Sequence, residues 1–489
     1  MLTITSPATR ISWFRVLQAT ELCERTLRML LACAVSVTFA FLAACDGEFA
    51  ASAREATSPT AVIERPSTQP EARATVQESP RPVAAATAGT PREPTPVVRP
   101  EATPTPDAAP TPTAAPTPTA ASTLEADSAQ LQAPAEHDCA NGVVVPDPQN
   151  SPGLVEDCAV LLAVRDALAG TAPLMWSTDR DISDWSGVYL DEGPEPARRV
   201  IGLELSWLDL GAPILPQLGE LTELVYLDLN YSRLTGSIPV ELSALTKLQV
   251  LYLRGNQLSG PIPSELGMLT SLAELDLAEN KLTGGIPPEL SALTDLQWLV
   301  LGNNKLTGDI PEGLGELAQL EWLHLGDNQL TGDIPRSISA LTRLQELNLG
   351  ENRLTGPIPE WLGELTQLEA LYLDDNQLTG TIPVDLRWLA GLKRLSLRRN
   401  ALTGSIPPEL AGLVNLEQLD LRGNRLTGEV PAELGLLRKL RELDLSCNQL
   451  TGSVPPELDE LPNLRTANLA GNRLTGPVPS ANHWSCTAI

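Results

Sequence analysis

The sequence predicts an α/β solenoid: a stack of short coils sharing one parallel β-sheet, behind an N-terminal helical cap and a long disordered linker. Three observations lead there. The first is self-similarity. The stretch "WLVLGNNKLTGDIPEGLGEL" at 298–317 returns as "WLHLGDNQLTGDIPRSISAL" at 322–341, so Leu299, Leu301, Asn304, Leu306, Gly308, Ile310 and Pro311 recur 24 residues later as Leu323, Leu325, Asn328, Leu330, Gly332, Ile334 and Pro335. The second is composition. With 43 Pro, 35 Gly and 4% aromatic residues in 489, the chain has the make-up of a repeat array joined to a disordered segment. The third is a change of character near Cys139, where Pro/Thr/Ala-rich sequence gives way to cysteines and apolar periodicity.

Residues 1–44 read as a secretory signal. An uncharged apolar run, "MLLACAVSVTFAFLAAC" at 29–45, follows Arg25 and Arg28. It falls short of the roughly 20 residues that a spanning helix needs. Its end, "LAAC" from Leu42 to Cys45, resembles the bacterial lipobox. That resemblance implies lipidation of Cys45, which becomes the mature N-terminus, and stable membrane anchoring through more than one acyl chain.

Residues 45–137 contain "PREPTPVVRPEATPTPDAAPTPTAAPTPTAA" and almost no Leu, Ile or Phe. Such a segment buries too little to offset its ordering entropy, so it reads as a disordered, polyproline-rich tether. A coil of about 90 residues has an r.m.s. span on the order of 50 Å.

Residues 138–199 read as the cap. Val160, Leu161, Leu162, Val164 and Leu168 share a helical face, Gly170 stops it, and Trp176 and Trp185 follow.

Residues 200–479 carry the repeat L-x-x-L-x-x-L-x-L-x-x-N-x-L-T-G-x-I-P, in about 11 clear copies and one degenerate one, with 480–489 left as a tail. The alternation in L-x-L makes one short strand per copy. Leu227, Leu229, Leu234, Leu242, Leu245 and their equivalents face inward, each contributing roughly 1.5–3 kcal/mol when buried. The Asn column is Asn256, Asn280, Asn304, Asn328, Asn352, Asn376, Asn400, Asn424, Asn448 and Asn472, with Ser232 in the first place. Turned inward, these amides must bond to backbone, and they form a structural ladder. Gly of "LTG" permits geometry that a Cβ hinders, and Ile-Pro opens the outer side.

This pattern is identified as the leucine-rich repeat, and its L-T-G-x-I-P tail resembles the plant-type subclass. The resemblance implies a right-handed superhelix with its parallel sheet on the concave face. The cap resembles the one preceding plant repeats through Trp185, Gly187 and Val188, but Asp184 and Leu190 stand where that cap has cysteines. Cys139 and Cys158, read as lying upstream of the helix, are expected to pair instead. Cys486 either reaches back to Cys447, nearly two coils away, or stays in a tail that makes a poor C-terminal cap. The resemblance to plant receptor kinases ends with the ectodomain, since no kinase follows.

A net charge of −27 argues against nucleic acid as a partner, because phosphate binding needs a basic footprint. His137, His324 and His483 are the three histidines. They form no catalytic order or metal spacing with the other residues, and carboxylates such as Glu241, Glu265, Glu289 and Glu409 read as a solvated face. The expectation is therefore a non-enzyme without cofactor or metal. Three roles suit such an array: a binding module for a protein, peptide or glycan; a structural or adhesive surface protein; and an ice- or surface-binding array using Thr235, Thr283, Thr307 and Thr331. The first is preferred, at the cell surface or in the periplasm.

The letters that vary locate the expected site. Residues flanking the strand leucines point out of the concave sheet. There Trp298 and Trp322 are neighbours, with Val300 and His324 beside them, and Gly302, Gly326 and Gly350 leave room in the next column. Trp298, Trp322, His324 and Tyr372 form the expected ligand-contacting centre, flanked by Tyr252 and Arg254, because exposed aromatic clusters are enriched at hot spots. Arg394, Arg398, Arg399 and Arg422 make a basic stripe whose second and third members face Asp374 and Asp375 one coil away.

Overall fold

The computed structural model describes residues 136–168, 174–191, 198–476 and 484–485. Cys45, the signal, nearly all of the linker and Cys486 lie outside the described residues.

The cap starts with a helical turn, Glu136–Cys139, and continues with a helix, Pro152–Leu168. Pro152 opens that helix because its ring fixes φ near the helical value and its missing N–H is one that needs no partner there. Cys139 and Cys158 are disulfide-bonded. Cys158 lies inside the helix, not upstream of it as the sequence reading held, because the Ser-Pro start places the helix N-terminus eight residues before the apolar face begins at Val160. The bond therefore ties the first turn to the helix itself.

One buried carboxylate docks this cap on the solenoid, and a tryptophan stack holds the cap itself together. Asp157 is 1% exposed. It accepts from Arg199 Nε at 2.9 Å, from Arg199 Nη2 at 2.7 Å and from the Val200 N–H at 2.8 Å. The buried carboxylate is thus satisfied by a bidentate guanidinium and by the backbone of the first repeat strand. Trp176 and Trp185 stack at 5.5 Å between ring centroids, and their indole N–H groups donate to Ser186 O and Ser177 O. Gly187 follows with φ +81°, and a Cβ there would lie 2.1 Å from Glu204 O. No other residue fits where the cap strand Val188–Leu190 meets Val200–Glu204.

From Val200 onward each coil adds one strand in register, 24 residues from the last: Trp298 pairs with Trp322, Trp322 with Glu346, and Leu299, Leu323 and Leu347 line up beneath them. Strands joined to one sheet run from Val188–Leu190 to Trp484–Ser485, and all its pairs after the first are parallel. Trp484–Ser485 pairs with Ala467 and Asn468. The tail expected to be a poor cap thus extends the sheet edge by one more strand. A second sheet, Ser259–Pro261, Lys281–Gly284, Lys305–Asp309 and Gln329–Thr331, runs beside the first.

The outer side of each coil is a short 3-10 helix, such as Val240–Ala244 after Pro239. Leu242 N–H donates to Pro239 O, and Leu245 N–H to Leu242 O. A 24-residue coil leaves about five residues for this return, too few to establish an α-helix, and the i→i+3 pattern closes within them. Leu227, Leu229, Leu234, Leu242 and Leu245 are at most 2% exposed.

The Asn residues form a ladder between coils. Asn328 Nδ2 donates to Leu301 O of the preceding coil and to Leu325 O of its own, while Oδ1 accepts from Leu306 N–H. Ser232, shorter, donates to Leu205 O alone of the preceding strand carbonyls, at 2.6 Å. The residue before each Asn is left-handed. Glu279, Asn303, Asp327, Glu351 and Asp375 have φ between 49° and 57°, and Gly255 and Gly423 have φ near 70°. A non-glycine residue there costs about 1–2 kcal/mol. The ladder bonds across the bend offset it.

Candidate binding groove on the concave sheet

Successive coils place matching residues about 4.8 Å apart across the strands. Three columns matter. Trp298, Trp322, Glu346 and Arg394 occupy the one before the strand leucine. Val300, His324, Asn348 and Tyr372 occupy the one between the leucines. Arg254, Ala278, Gly302, Gly326, Gly350, Asp374 and Arg398 occupy the one that follows the strand.

In the first column Trp298 and Trp322 stack at 4.7 Å with planes 6° apart, and Trp322 stacks on His324 at 5.9 Å. His324 Nε2 lies 3.2 Å from Glu346 Oε1, Glu346 Oε2 lies 3.5 Å from Arg394, and Arg394 sits over the Tyr372 ring at 5.7 Å. Burial would raise the Glu346 carboxyl, but His324 and Arg394 outweigh that and hold it below the usual carboxylate range. The expected centre is therefore one connected set, Trp298–Trp322–His324–Glu346–Arg394–Tyr372. Glu346 and Arg394 are the linking members that reasoning from aromatic residues alone passed over.

The third column holds the cavity. A groove of about 320 Å³ runs from Arg254 to Asp374. Ala278, Gly302, Gly326 and Gly350 form its floor. Val300, His324, Asn348 and Tyr372 line one wall, and the left-handed residues Glu279, Asn303, Asp327 and Glu351 line the other. Of the six expected contacts, His324, Tyr372 and Arg254 line this groove. Trp298, Trp322 and Tyr252 do not. The two tryptophans flank it through His324. Tyr252 hydrogen-bonds Glu274 and packs edge-on against Tyr226. The displacement has a simple cause. Large side chains fill the space above their own column, while the glycines, two columns from the tryptophans, line the cavity.

Arg254 is held at the N-terminal end. Its Nη2 is 2.6 Å from Glu279 Oε1, and its Nε donates to Tyr231 Oη at 3.0 Å. Tyr231 in turn stacks on Trp207 at 4.2 Å. These two aromatics, both left-handed and one half-exposed, form a shelf beyond the groove that the sequence reading missed. Their rank in the column preceding each Asn was the available signal. At the other end Arg398 lies 3.2 Å from Asp374 and 2.9 Å from Asp375, and Arg399 lies 3.4 Å from Asp375. The Arg398 and Arg399 part of the expected basic stripe is thus paired within the protein.

Leucine-rich-repeat family descriptions match residues 270–330, 318–378 and 386–426, and 223–245, 247–269 and 439–461. The chain is 38% identical over 110 residues to the receptor-like serine/threonine-protein kinase GSO2 of Arabidopsis thaliana, a match covering 21% of this chain and 8% of that protein. It is similar to the ectodomain of the Arabidopsis receptor kinase HAESA, solved with an N-terminally extended IDA peptide hormone. There the identity is 33% and the TM-score 0.56, over 67% of this chain and 59% of that one. The plant peptide hormone receptor RGFR1, solved with RGF2, is 33% identical with a TM-score of 0.52, over 60% and 54% of the two chains. The chain thus spans under a tenth of its curated relative and a little over half of each receptor structure.

Proposed function

We propose that this leucine-rich-repeat solenoid is an extracellular ligand-binding module, with no catalytic role, whose ligand is an extended peptide lying across the strands of the concave sheet. One observation carries the reading: the glycine-floored groove beside the stacked Trp298–Trp322 pair. Arg254 and Asp374 are five coils apart, about 24 Å at the usual strand spacing, and an extended chain covers that in about 7 residues. The peptide complexes of the similar plant receptors support the same class of ligand. Among the described residues no helix is long and apolar enough to cross a membrane. We assign attachment to lipidated Cys45, with residues 46–137 as the tether that sets reach.

Affinity capture with the full chain, followed by sequencing of bound peptides, tests the reading. Trp298→Ala with Trp322→Ala should weaken binding of a captured peptide by more than ~2 kcal/mol with the melting temperature nearly fixed. Unchanged affinity would move the site off this face. Capture of glycans alone would replace the ligand class. No saturable ligand of either kind would leave the adhesive or structural role.

A further inference from the structure

We infer that the groove selects a cationic side chain, a lysine or arginine of the bound peptide, seated over Gly326 and Gly350 between Asp327 and Glu351. The inference rests on the peptide reading above and specifies its chemistry.

The arginines at both ends of the groove are paired, and the carboxylates in the middle have less positive charge near them. Arg254 is taken up by Glu279 at 2.6 Å, and Arg398 by Asp374 and Asp375 at 3.2 and 2.9 Å. Between them the Asp327 carboxylate has no hydrogen bond or ion pair among the described residues, and the ion-pair contact of Glu351 is Arg398 at 3.8 Å. Burial together with Asp327, Asp375 and Asp374 pushes the Glu351 carboxyl above its ordinary range, and Arg398 only partly opposes this. The middle of the groove is therefore where an added positive charge would gain most.

The floor has the shape for it. A Cβ on Gly326 would lie 2.7 Å from Asn348 Oδ1, and one on Gly350 would lie 2.9 Å from Asp374 Oδ1. Glycine is therefore required at these coils, and the Asn348 and Asp374 side chains lean over the two glycines to present oxygen acceptors to the groove. Val300 and the Tyr372 ring across the groove offer apolar surface to the methylene stem, while the head reaches the carboxylates. A divalent metal fits less well. Glu351, Asp374 and Asp375 converge within 4.8 Å, but Arg398 already places its guanidinium against all three.

A random seven-residue peptide library selected on the immobilised full chain at physiological salt tests this. Selected peptides should be enriched in Lys and Arg over the input. Their affinity should fall about tenfold for each of Asp327→Asn and Glu351→Gln, and should fall steeply between 0.05 and 0.5 M salt. The floor-filling variant Gly326→Val should abolish binding, and circular dichroism should show all three variants folded. Binders that are neutral or acidic but still lost in Gly326→Val would overturn the cation while leaving the peptide groove. Cationic binders indifferent to every variant would reflect general attraction to an acidic chain and overturn the inference. Absence of groove-dependent binders would overturn the peptide reading as well.

Discussion

Replacing Asn328 by alanine isolates the worth of one ladder rung. Asn328 is 8% exposed. Its Nδ2 donates to Leu301 O at 3.0 Å, Leu325 O at 3.1 Å and Gly326 O at 3.3 Å, and its Oδ1 accepts from Leu306 N–H at 2.9 Å. The four bonds are not equivalent. Leu301 O also accepts from Asn304 Nδ2, Leu325 O from Asn352 Nδ2, and Gly326 O from the Asn303 N–H. Those carbonyls keep a partner when Asn328 goes. Leu306 N–H has only Asn328, so alanine leaves one buried donor orphaned, at about 1–3 kcal/mol, and removes donated bonds worth roughly 0.5–1.5 kcal/mol each. With two amide protons to donate, the sum is about 2–6 kcal/mol. Urea titration followed by tryptophan fluorescence, with Trp322 in the strand of the same coil, should show the midpoint falling at constant slope. Amide exchange should show Leu306 losing protection more than Leu330, which bonds Asn352. A loss under 1 kcal/mol, or equal protection at the two leucines, would refute the argument that the ladder is held by its single acceptor.

Reducing or replacing the Cys139–Cys158 bond, 19 residues apart, should cost about 3 kcal/mol in the chain-entropy picture; mass spectrometry of unreduced protein checks the link, and two free thiols would refute it. Burial raises the carboxyls of Asp228 and Asp420 to about 6. Both bind protons more tightly folded than unfolded, so their contribution to stability is fully present below the ordinary pKa of 3.8 and is lost as pH rises through about 6. Unfolding free energy should therefore rise from pH 7 to pH 5 on their account, by about 1 kcal/mol each, and the melting temperature with it; Asp228→Asn with Asp420→Asn should flatten that rise, and an unchanged slope would show that other groups cause it. Cys45→Ser should release the protein from membrane or stall its processing; normal cleavage and unchanged membrane fractionation would reject lipidation.

What was legible in the sequence was everything that repeats. Because coil n+1 is coil n moved by 24 residues, the strand leucines, the inward Asn column and the Trp298–Trp322 adjacency follow from spacing alone: a stacked array makes residue i meet residue i+24. Tertiary structure decided what departs from that translation. Asp157 reaches Arg199 and Val200 across 42 and 43 residues, joining a cap that has no period to a repeat that does. Trp484 returns to the sheet edge beside Ala467 through a tail without repeat letters. The groove fell two columns from the tryptophans that announced it, since a cavity is set by the side chains that are missing, and in this repeat the glycines follow the strand. The left-handed residue in every coil was likewise hidden behind changing letters, from Trp207 to Asp327 to Arg399. There the backbone bond to the next coil fixes the conformation whatever side chain it carries, and that freedom of side chain is what leaves this column to form a wall of the groove.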